Sequence, residues 1–461
     1  MEIEFAGAAR EVTGSCHILR VAGKTVLLDC GLFQGHRSDA EAKNRSLPCP
    51  IGQIDAVVLS HAHLDHSGRL PFLVSQGFSK PIHATRATAD LCAIMLADSA
   101  HIQESDFDFL SRHGREVEPP LYGVRDAARA EELMERHPYD EWFDVCEGVR
   151  ARFIEAGHIL GSASVVIEAT SASSTSRLIF SGDIGRTGLP IIRDPVPPPD
   201  PADIVIMEST YGNRDHESVA SSRDHLARVV RDTAARGGRI LIPAFAVGRT
   251  QELVYDLQIL AREKAIPPIP IVIDSPLASA ATEVFERNSD VFDRTEAPVR
   301  DIEQLFRFEQ LTYTTSTAES KALNSRVGPM VIIAGSGMVE GGRILHHLLN
   351  GASSSRNTIL IVGFQAENTL GRRIVERRPV IRVLGNDVEL RASVEIINGY
   401  SAHADRTELA AWATAVRRTS PTLRTVCLVH GEEEAQEALS GALRAQGFTV
   451  TCPALHDRIR S

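Results

Sequence analysis

The run Ser60-His61-Ala62-His63-Leu64-Asp65-His66 places three imidazoles and a carboxylate within six residues. It follows an apolar stretch, residues 55–59, with the look of a buried strand, and it precedes a helical pattern. Alternate side chains of an extended segment face one way, so His61, His63 and Asp65 project together. His66 follows where the chain turns into the helix. Imidazole nitrogens and carboxylate oxygens suit a borderline cation such as zinc. One such residue alone reads as a surface histidine or a helix cap. Four at this spacing point to a metal site.

Three more residues extend the set: His158 in Ala156-Gly157-His158-Ile159-Leu160-Gly161, Asp183 in Phe180-Ser181-Gly182-Asp183, and His430 in Leu428-Val429-His430-Gly431. Asp183 and His430 close strand-like runs. Each by itself is an ordinary cap or turn residue. With the histidine run they supply donors for two metals. His61, His63 and His158 would hold one, Asp65, His66 and His430 the other, and Asp183 would bridge them. Two zinc ions per chain are therefore expected. The seven cysteines contain no CxxC pair. This argues against a cysteine-held zinc and against a disulfide scaffold.

These donors need strands to position them. Residues 11–20, 24–29 and 54–60 read as short strands. Helical patterns cover 68–76 and 90–135, the second broken at Pro119-Pro120, and strands return at 151–155, 164–169 and 177–181. The serine-rich 171–176 reads as a hairpin loop. The proline-dense 194–201 can continue neither a helix nor a central strand and reads as a connector. Beyond it strands and helices alternate: strands at 204–207, 239–244, 270–274, 330–334 and 358–363, with a helix at 251–264. Such alternation predicts a parallel, doubly wound sheet. Near Arg377 the first pattern resumes, with strands at 380–384, 389–398 and 425–430. The expectation is an αββα sandwich, residues 1–200 and 377–461, interrupted by an α/β insertion, residues 203–376.

Composition bounds the function. A net charge of −11 excludes a protein that wraps nucleic acid by bulk charge. The start carries Glu2 and Glu4 without a basic-then-apolar leader, and no apolar run approaches the ~18–20 residues of a membrane span. A cytoplasmic protein with no membrane partner is expected. Homo-oligomerisation stays open.

The HAHLDH run, His158, Asp183 and Asp29 resemble the motifs of the metallo-β-lactamase superfamily. The resemblance implies that Asp29, in Leu27-Leu28-Asp29-Cys30-Gly31, supports the ligands by hydrogen bonding; a turn aspartate before Gly31 is the alternative. The segment between Asp183 and His430 narrows the resemblance to the β-CASP nucleases. It carries Glu208 in Met207-Glu208-Ser209-Thr210-Tyr211-Gly212 and His403 in Tyr400-Ser401-Ala402-His403-Ala404-Asp405. Pro243-Ala244-Phe245-Ala246-Val247-Gly248-Arg249-Thr250-Gln251-Glu252, Val362-Gly363-Phe364-Gln365 and Thr369-Leu370-Gly371 also match the insertion. The likeness covers essentially the whole chain and is nearest to the group of the mRNA 3′-end cleavage endonuclease and its prokaryotic relatives.

It implies a zinc-dependent ribonuclease acting on single-stranded RNA, as an endonuclease, a 5′-to-3′ exonuclease or both, in RNA processing or decay. Asp65, Asp183, Glu208 and His403 would be catalytic. His430, where DNA-repair members tend to carry valine, implies RNA over DNA. The alternatives are a catalytically silent scaffold subunit and a small-molecule thioesterase or lactamase. Retention of every expected ligand opposes the first; the insertion and the Glu208/His403 pair oppose the second. His403 alone would read as a surface histidine near a helix cap. Ser336 and Gly337, in a glycine-rich turn, are either an RNA phosphate contact or a plain strand-to-helix turn. His101 lacks neighbours at metal spacing, and His346 and His347 read as structural.

Overall fold

The computed structural model describes residues 1–35, 37–114, 117–170, 175–293, 305–363, 365–366 and 368–460 of the 461-residue chain. Residues 171–174 of the expected hairpin loop and Phe364 of the VGFQ motif lie outside the described residues. The chain forms two compact units. The first comprises Met1–Thr187, Ile192–Asp215 and His403–Ser461, and the second Gly188–Ile191 and His216–Ala402.

In chain order the first unit begins with β1 (Glu2–Phe5), β2 (His17–Val21), β3 (Lys24–Leu28), β4 (Ala56–Val58), β5 (Ile82–Thr85) and β6 (Met134–His137). It continues with β7 (Trp142–Cys146), β8 (Val149–Glu155), β9 (Ala163–Thr170), β10 (Thr175–Phe180) and β11 (Ile204–Glu208). The second unit holds β12 (Arg239–Pro243), β13 (Ile271–Ile273), β14 (Leu311–Tyr313), β15 (Met330–Ala334), β16 (Thr358–Ile361), β17 (Val380–Val383), β18 (Asn386–Glu389) and β19 (Ser393–Ile396). The first unit closes with β20 (Thr425–Val429), β21 (Val450–Thr451) and β22 (Arg458–Arg460).

Two sheets build the first unit, in the orders β22-β1-β2-β3-β4-β5-β6 and β21-β20-β11-β10-β9-β8-β7. Strand periodicity explains their packing. Val26, Leu28 and Val58 of one sheet meet Phe153, Val165, Phe180 and Ile206 of the other in a shared core. Burying each such side chain is worth about 1.5–3 kcal/mol. The alternate residues Val166, Ile179, Val205 and Met207 pack outward under Leu409, Trp412 and Val416 of helix Arg406–Thr419. Leu439 and Leu443 of helix Glu433–Ala445 cover the same face. Helix Arg86–Arg112 lies against β5 and β6 of the other sheet. Central strands are thus apolar on both faces, and the layers are αββα.

The main sheet of the second unit has the order β14-β13-β15-β12-β16-β19, and every pair in it is parallel. This agrees with the expected doubly wound parallel sheet.

The structure corrects two expectations. Residues 204–207 do not open the insertion. As β11 they pair in parallel with β10, Leu178 opposite Ile204, and with β20, Ile204 opposite Thr425. The proline-rich 194–201 therefore connects two strands of the first unit. The segment 380–398 does not return to the first unit either. β17 and β18 pair with each other, and β19 joins β16 at the edge of the second unit's sheet. β11 is buried throughout and would be apolar in either sheet, while β17 alternates exposed and buried residues and β19 is partly buried, as a half-covered strand of either unit would be, so only the pairing decides.

Candidate metal centre

Parallel strands bring the candidate residues to one edge. Asp29 follows β3, and the His61–His66 run follows β4, its parallel neighbour. Asp183 follows β10, Glu208 ends β11 and His430 follows β20; these three strands are parallel neighbours in the facing sheet. The carboxyl ends of parallel strands leave a crevice where ligands bind. His158 enters on the turn between β8 and β9.

Two donor groups form around Asp183. In the first, His61 Nε2 lies 3.1 Å and His158 Nε2 3.2 Å from His63 Nδ1. Asp183 Oδ2 is 3.4 Å from His61 Nε2 and 3.5 Å from His158 Nε2. In the second, His66 Nε2 lies 3.2 Å from His430 Nε2 and 3.3 Å from Asp183 Oδ1. His430 Nε2 is 3.5 Å from Asp65 Oδ2. A tetrahedral shell with bonds of about 2.0–2.1 Å has edges of about 3.3–3.4 Å. The spacings are those of ligands around a cation, and each oxygen of Asp183 serves a different group.

Hydrogen bonds fix which nitrogens carry lone pairs. The Ser60 hydroxyl donates to Asp29 Oδ2 at 3.0 Å, so it accepts from His61 Nδ1 at 3.1 Å. His66 Nδ1 donates to the same carboxylate oxygen at 2.6 Å. The Thr210 hydroxyl donates to the His430 carbonyl at 3.0 Å and accepts from His430 Nδ1 at 3.1 Å. His61, His66 and His430 therefore all engage Nδ1 and direct Nε2 inward, the nitrogen left for a metal. Asp29 also accepts from the Ser15 hydroxyl at 3.0 Å and from the Ser60 N–H at 2.8 Å. It is a supporting carboxylate with a full complement of donors.

Burial, the largest influence, pushes His61, His63 and His158 below the ordinary histidine range, His63 to about 4. Neutral imidazoles keep their lone pairs for a cation. Burial opposes the charge of Asp183, but His430, His66 and His61 outweigh it and hold the carboxyl well below its usual range. Asp183 Oδ1 is a buried oxygen with no hydrogen bond. A bound cation would satisfy it, which supports the fit.

Close backbone approaches set these loops. A Cβ on Gly31 would stand 1.6 Å from the Asp65 carbonyl oxygen, and one on Gly185 would stand 1.7 Å from the Gly157 oxygen. Asp29 and His430 hold left-handed φ of 61° and 47°. Such strain in non-glycine residues clusters at functional sites.

Glu208 and His403 form a third group with Asp183. His403 Nδ1 donates to Glu208 Oε1 at 3.0 Å and lies 3.9 Å from Asp183 Oδ2. The fully buried Glu208 also accepts from the Ile184 N–H at 2.7 Å and the Thr210 N–H at 3.1 Å. The His403 turn is pinned to the Asp183 loop by a bridge to Gly185 and by Ala404 N–H donating to the Ile184 carbonyl at 2.7 Å. Burial alone would lower the His403 imidazole, but the Glu208 and Asp183 carboxylates lift it to about 9.

The sequence reading misses Ser15, Ser60 and Thr210 as partners of the donor set. Ser60 and Thr210 stand beside recognised motif residues, and that adjacency is the available signal. Ser336 and Gly337 belong to the second unit, in the turn after β15. The Ser336 hydroxyl accepts from the Glu340 and Gly341 N–H groups at 3.1 and 3.2 Å, and the next helix starts only at Ile344. His347 Nε2 donates to the buried Asp274 Oδ2 at 2.7 Å, a packing role, and His101 is exposed.

An αββα sandwich with this donor set defines a metallo-hydrolase. Family models match along the chain: the metallo-beta-lactamase superfamily over residues 9–237, the Beta-Casp domain over 250–374 and the Zn-dependent metallo-hydrolase RNA specificity domain over 387–453. Ribonuclease TTHA0252 of Thermus thermophilus is 40% identical over 456 residues, covering 98% of each chain. Transcription termination factor FttA of Methanosarcina mazei is 30% identical over 454 residues, covering 94% of this chain and 67% of that protein. Endoribonuclease YSH1 of Eremothecium gossypii is 29% identical over 451 residues, covering 95% and 56%. A protein of unknown function from Enterococcus faecalis V583 shares the fold, with TM-score 0.54 at 11% identity over 99% of both chains. The chain belongs to the β-CASP RNA-processing nuclease family of the metallo-β-lactamase superfamily.

Proposed function

We propose that this protein is a dinuclear zinc ribonuclease that hydrolyses phosphodiester bonds of single-stranded RNA in the cytoplasm. The observation that carries the proposal is the Asp183 carboxylate, which turns one oxygen to each of two donor groups. His61, His63 and His158 would hold one ion, Asp65, His66 and His430 the other, and Asp183 would touch both. When bound, the ions acidify water and neutralise charge on the scissile phosphate. The chain's own residues do the rest. Asp29, Ser60 and Thr210 orient the ligand imidazoles. Glu208 holds the His403 ring by Nδ1 and stabilises its cationic form. His403 then stabilises charge on the phosphoryl oxygens or protonates the departing 3′ oxygen. Water attacks phosphorus in line, the bond to the 3′ oxygen breaks, and the downstream product keeps a 5′ phosphate. No side-chain nucleophile is needed.

The segment matched by the RNA-specificity model and the names of the relatives support RNA as the substrate. The same likeness supports a catalytic body interrupted by an inserted domain. The test is digestion of 5′- and 3′-labelled single-stranded RNA with the zinc-loaded protein and mapping of the products. Internal cuts identify an endonuclease, and stepwise 5′ release identifies an exonuclease. No cleavage, with zinc bound, would overturn the proposal in favour of a silent scaffold.

A further inference from the structure

A second cluster of donors sits in the first unit and shares no residue with the groups around Asp183. β5 carries His83, and β6, the edge strand of its sheet, carries Glu135 and His137. In the parallel register His83 stands opposite Glu135, and His137 is two residues further along. The alternation of β6 therefore puts Glu135 and His137 on one face and Arg136 on the other. Arg136 pairs there with Glu131 at 2.8 Å and Asp90 at 3.6 Å.

His83 Nδ1 lies 3.0 Å from His137 Nε2 and 3.6 Å from Glu135 Oε2. All three donor atoms fall within 4.8 Å of one another. Again these spacings bracket the edge of about 3.3–3.4 Å for a shell with bonds of about 2.0–2.1 Å. The backbone settles the tautomer of His83. Its Nε2 lies 3.3 Å from the Val145 carbonyl, which can only accept, so Nε2 carries the proton and Nδ1 turns a lone pair to the cluster. A metal-bound histidine is oriented in this way, its second nitrogen donating to a carbonyl. His137 lies flat on Phe143, centroids 3.7 Å apart at 10°, which holds its ring in place. Burial pushes both imidazoles below the ordinary range, His137 to about 4, so neither is protonated at neutral pH.

We propose that His83, Glu135 and His137 form a third metal site, which takes a divalent transition cation such as Zn²⁺ or Co²⁺ and ties edge strand β6 to β5. A hydrogen bond between the two imidazoles accounts for one contact only. It leaves Glu135 without a reason to face the same lone pair, whereas a cation uses all three donors. The burial is graded: His83 is 1% and Glu135 56% exposed, so the cluster runs from a buried imidazole to an open carboxylate.

Equilibrium dialysis of the metal-free full-length protein against Co²⁺ tests the site, with elemental analysis for stoichiometry and visible absorption for ligand geometry. Wild type is expected to take up about one equivalent more than Glu135→Gln or His137→Gln. Asp183→Ala, which weakens the other two groups, should keep that equivalent and its absorption bands. Glu135 is largely exposed, so Glu135→Gln preserves the fold and decides the matter even if His137→Gln does not fold. RNA cleavage by Glu135→Gln should match wild type. Equal Co²⁺ uptake by wild type and Glu135→Gln would overturn the site, as would complete loss of uptake in Asp183→Ala.

Discussion

In the proposed centre Asp183 would hold metal and His403 would act on the substrate. The two oxygens of Asp183 lie 3.4 Å from His61 Nε2 and 3.3 Å from His66 Nε2 respectively. Asp183→Ala should therefore lower metal content at both positions, whereas His158→Ala should lower it at one; elemental analysis after dialysis separates the cases. His403 is held by Glu208 and stands 3.9 Å from Asp183 Oδ2, but it belongs to neither of the two donor groups that would hold the metals. Positioned acid–base groups contribute about 10²- to 10⁴-fold. His403→Ala is expected to reduce kcat on RNA by that range with metal content unchanged. Glu208→Ala should act similarly, and the double variant should be far from additive, because the pair acts as a unit. Near-normal turnover in His403→Ala would return the residue to a capping role beside helix Arg406–Thr419.

At the scale of elements, the site depends on loops that touch backbone to backbone. Gly31 has no room for a Cβ against the Asp65 carbonyl, 1.6 Å away. Gly31→Ala must shift the turn that carries Asp65 and His66, at a cost of about 1–3 kcal/mol. Urea unfolding should show the loss and dialysis a weaker hold on metal. Gly52→Ala, whose Cβ would meet nothing within 4 Å, is the matched control.

β8 contributes a pH dependence of its own. It ends in Glu155, whose carboxyl burial pushes up to about 8, although the Gly157 N–H donates to it at 2.9 Å. The folded protein keeps a proton here that the unfolded chain releases above about 4.3. Stability therefore falls as pH rises from about 4.3 towards 8, and the whole penalty is present above 8. Glu155→Gln should remove that slope. Unfolding midpoints of both proteins from pH 5 to pH 9 will show the variant gaining on wild type as pH rises, and parallel curves would refute the assignment.

Across the whole molecule, the long second unit leaves the first after Asp215 and returns at His403. Glu208 precedes the departure and His403 marks the return, so their hydrogen bond joins residues 195 apart in the chain. The family match and His430 lead to a selectivity prediction: single-stranded RNA should be cut much faster than matched DNA, with negligible turnover of lactams and thioesters. Parallel rate measurements on one preparation test this. Equal rates on RNA and DNA would remove the role given to His430, and strong lactamase activity would remove the nuclease assignment.

Much of the candidate centre was legible because its largest piece is local. His61, His63, Asp65 and His66 follow one buried strand, and strand periodicity alone turns them to a common side. The αββα layers and the parallel insertion could likewise be read from apolar patterning. Tertiary structure decided what depends on pairing between distant strands. Residues 204–207 look alike whether they open an insertion or sit between β10 and β20, because a central parallel strand is apolar on both faces. Only that pairing carries Glu208 to Asp183 and places Thr210 on His430. The grouping of His83 with Glu135 and His137 arises in the same way, from the register of β5 against β6. Local spacing follows from backbone geometry, whereas partners 54 to 364 residues apart follow from which hydrogen-bonded ladders form, and these emerge only when the core closes.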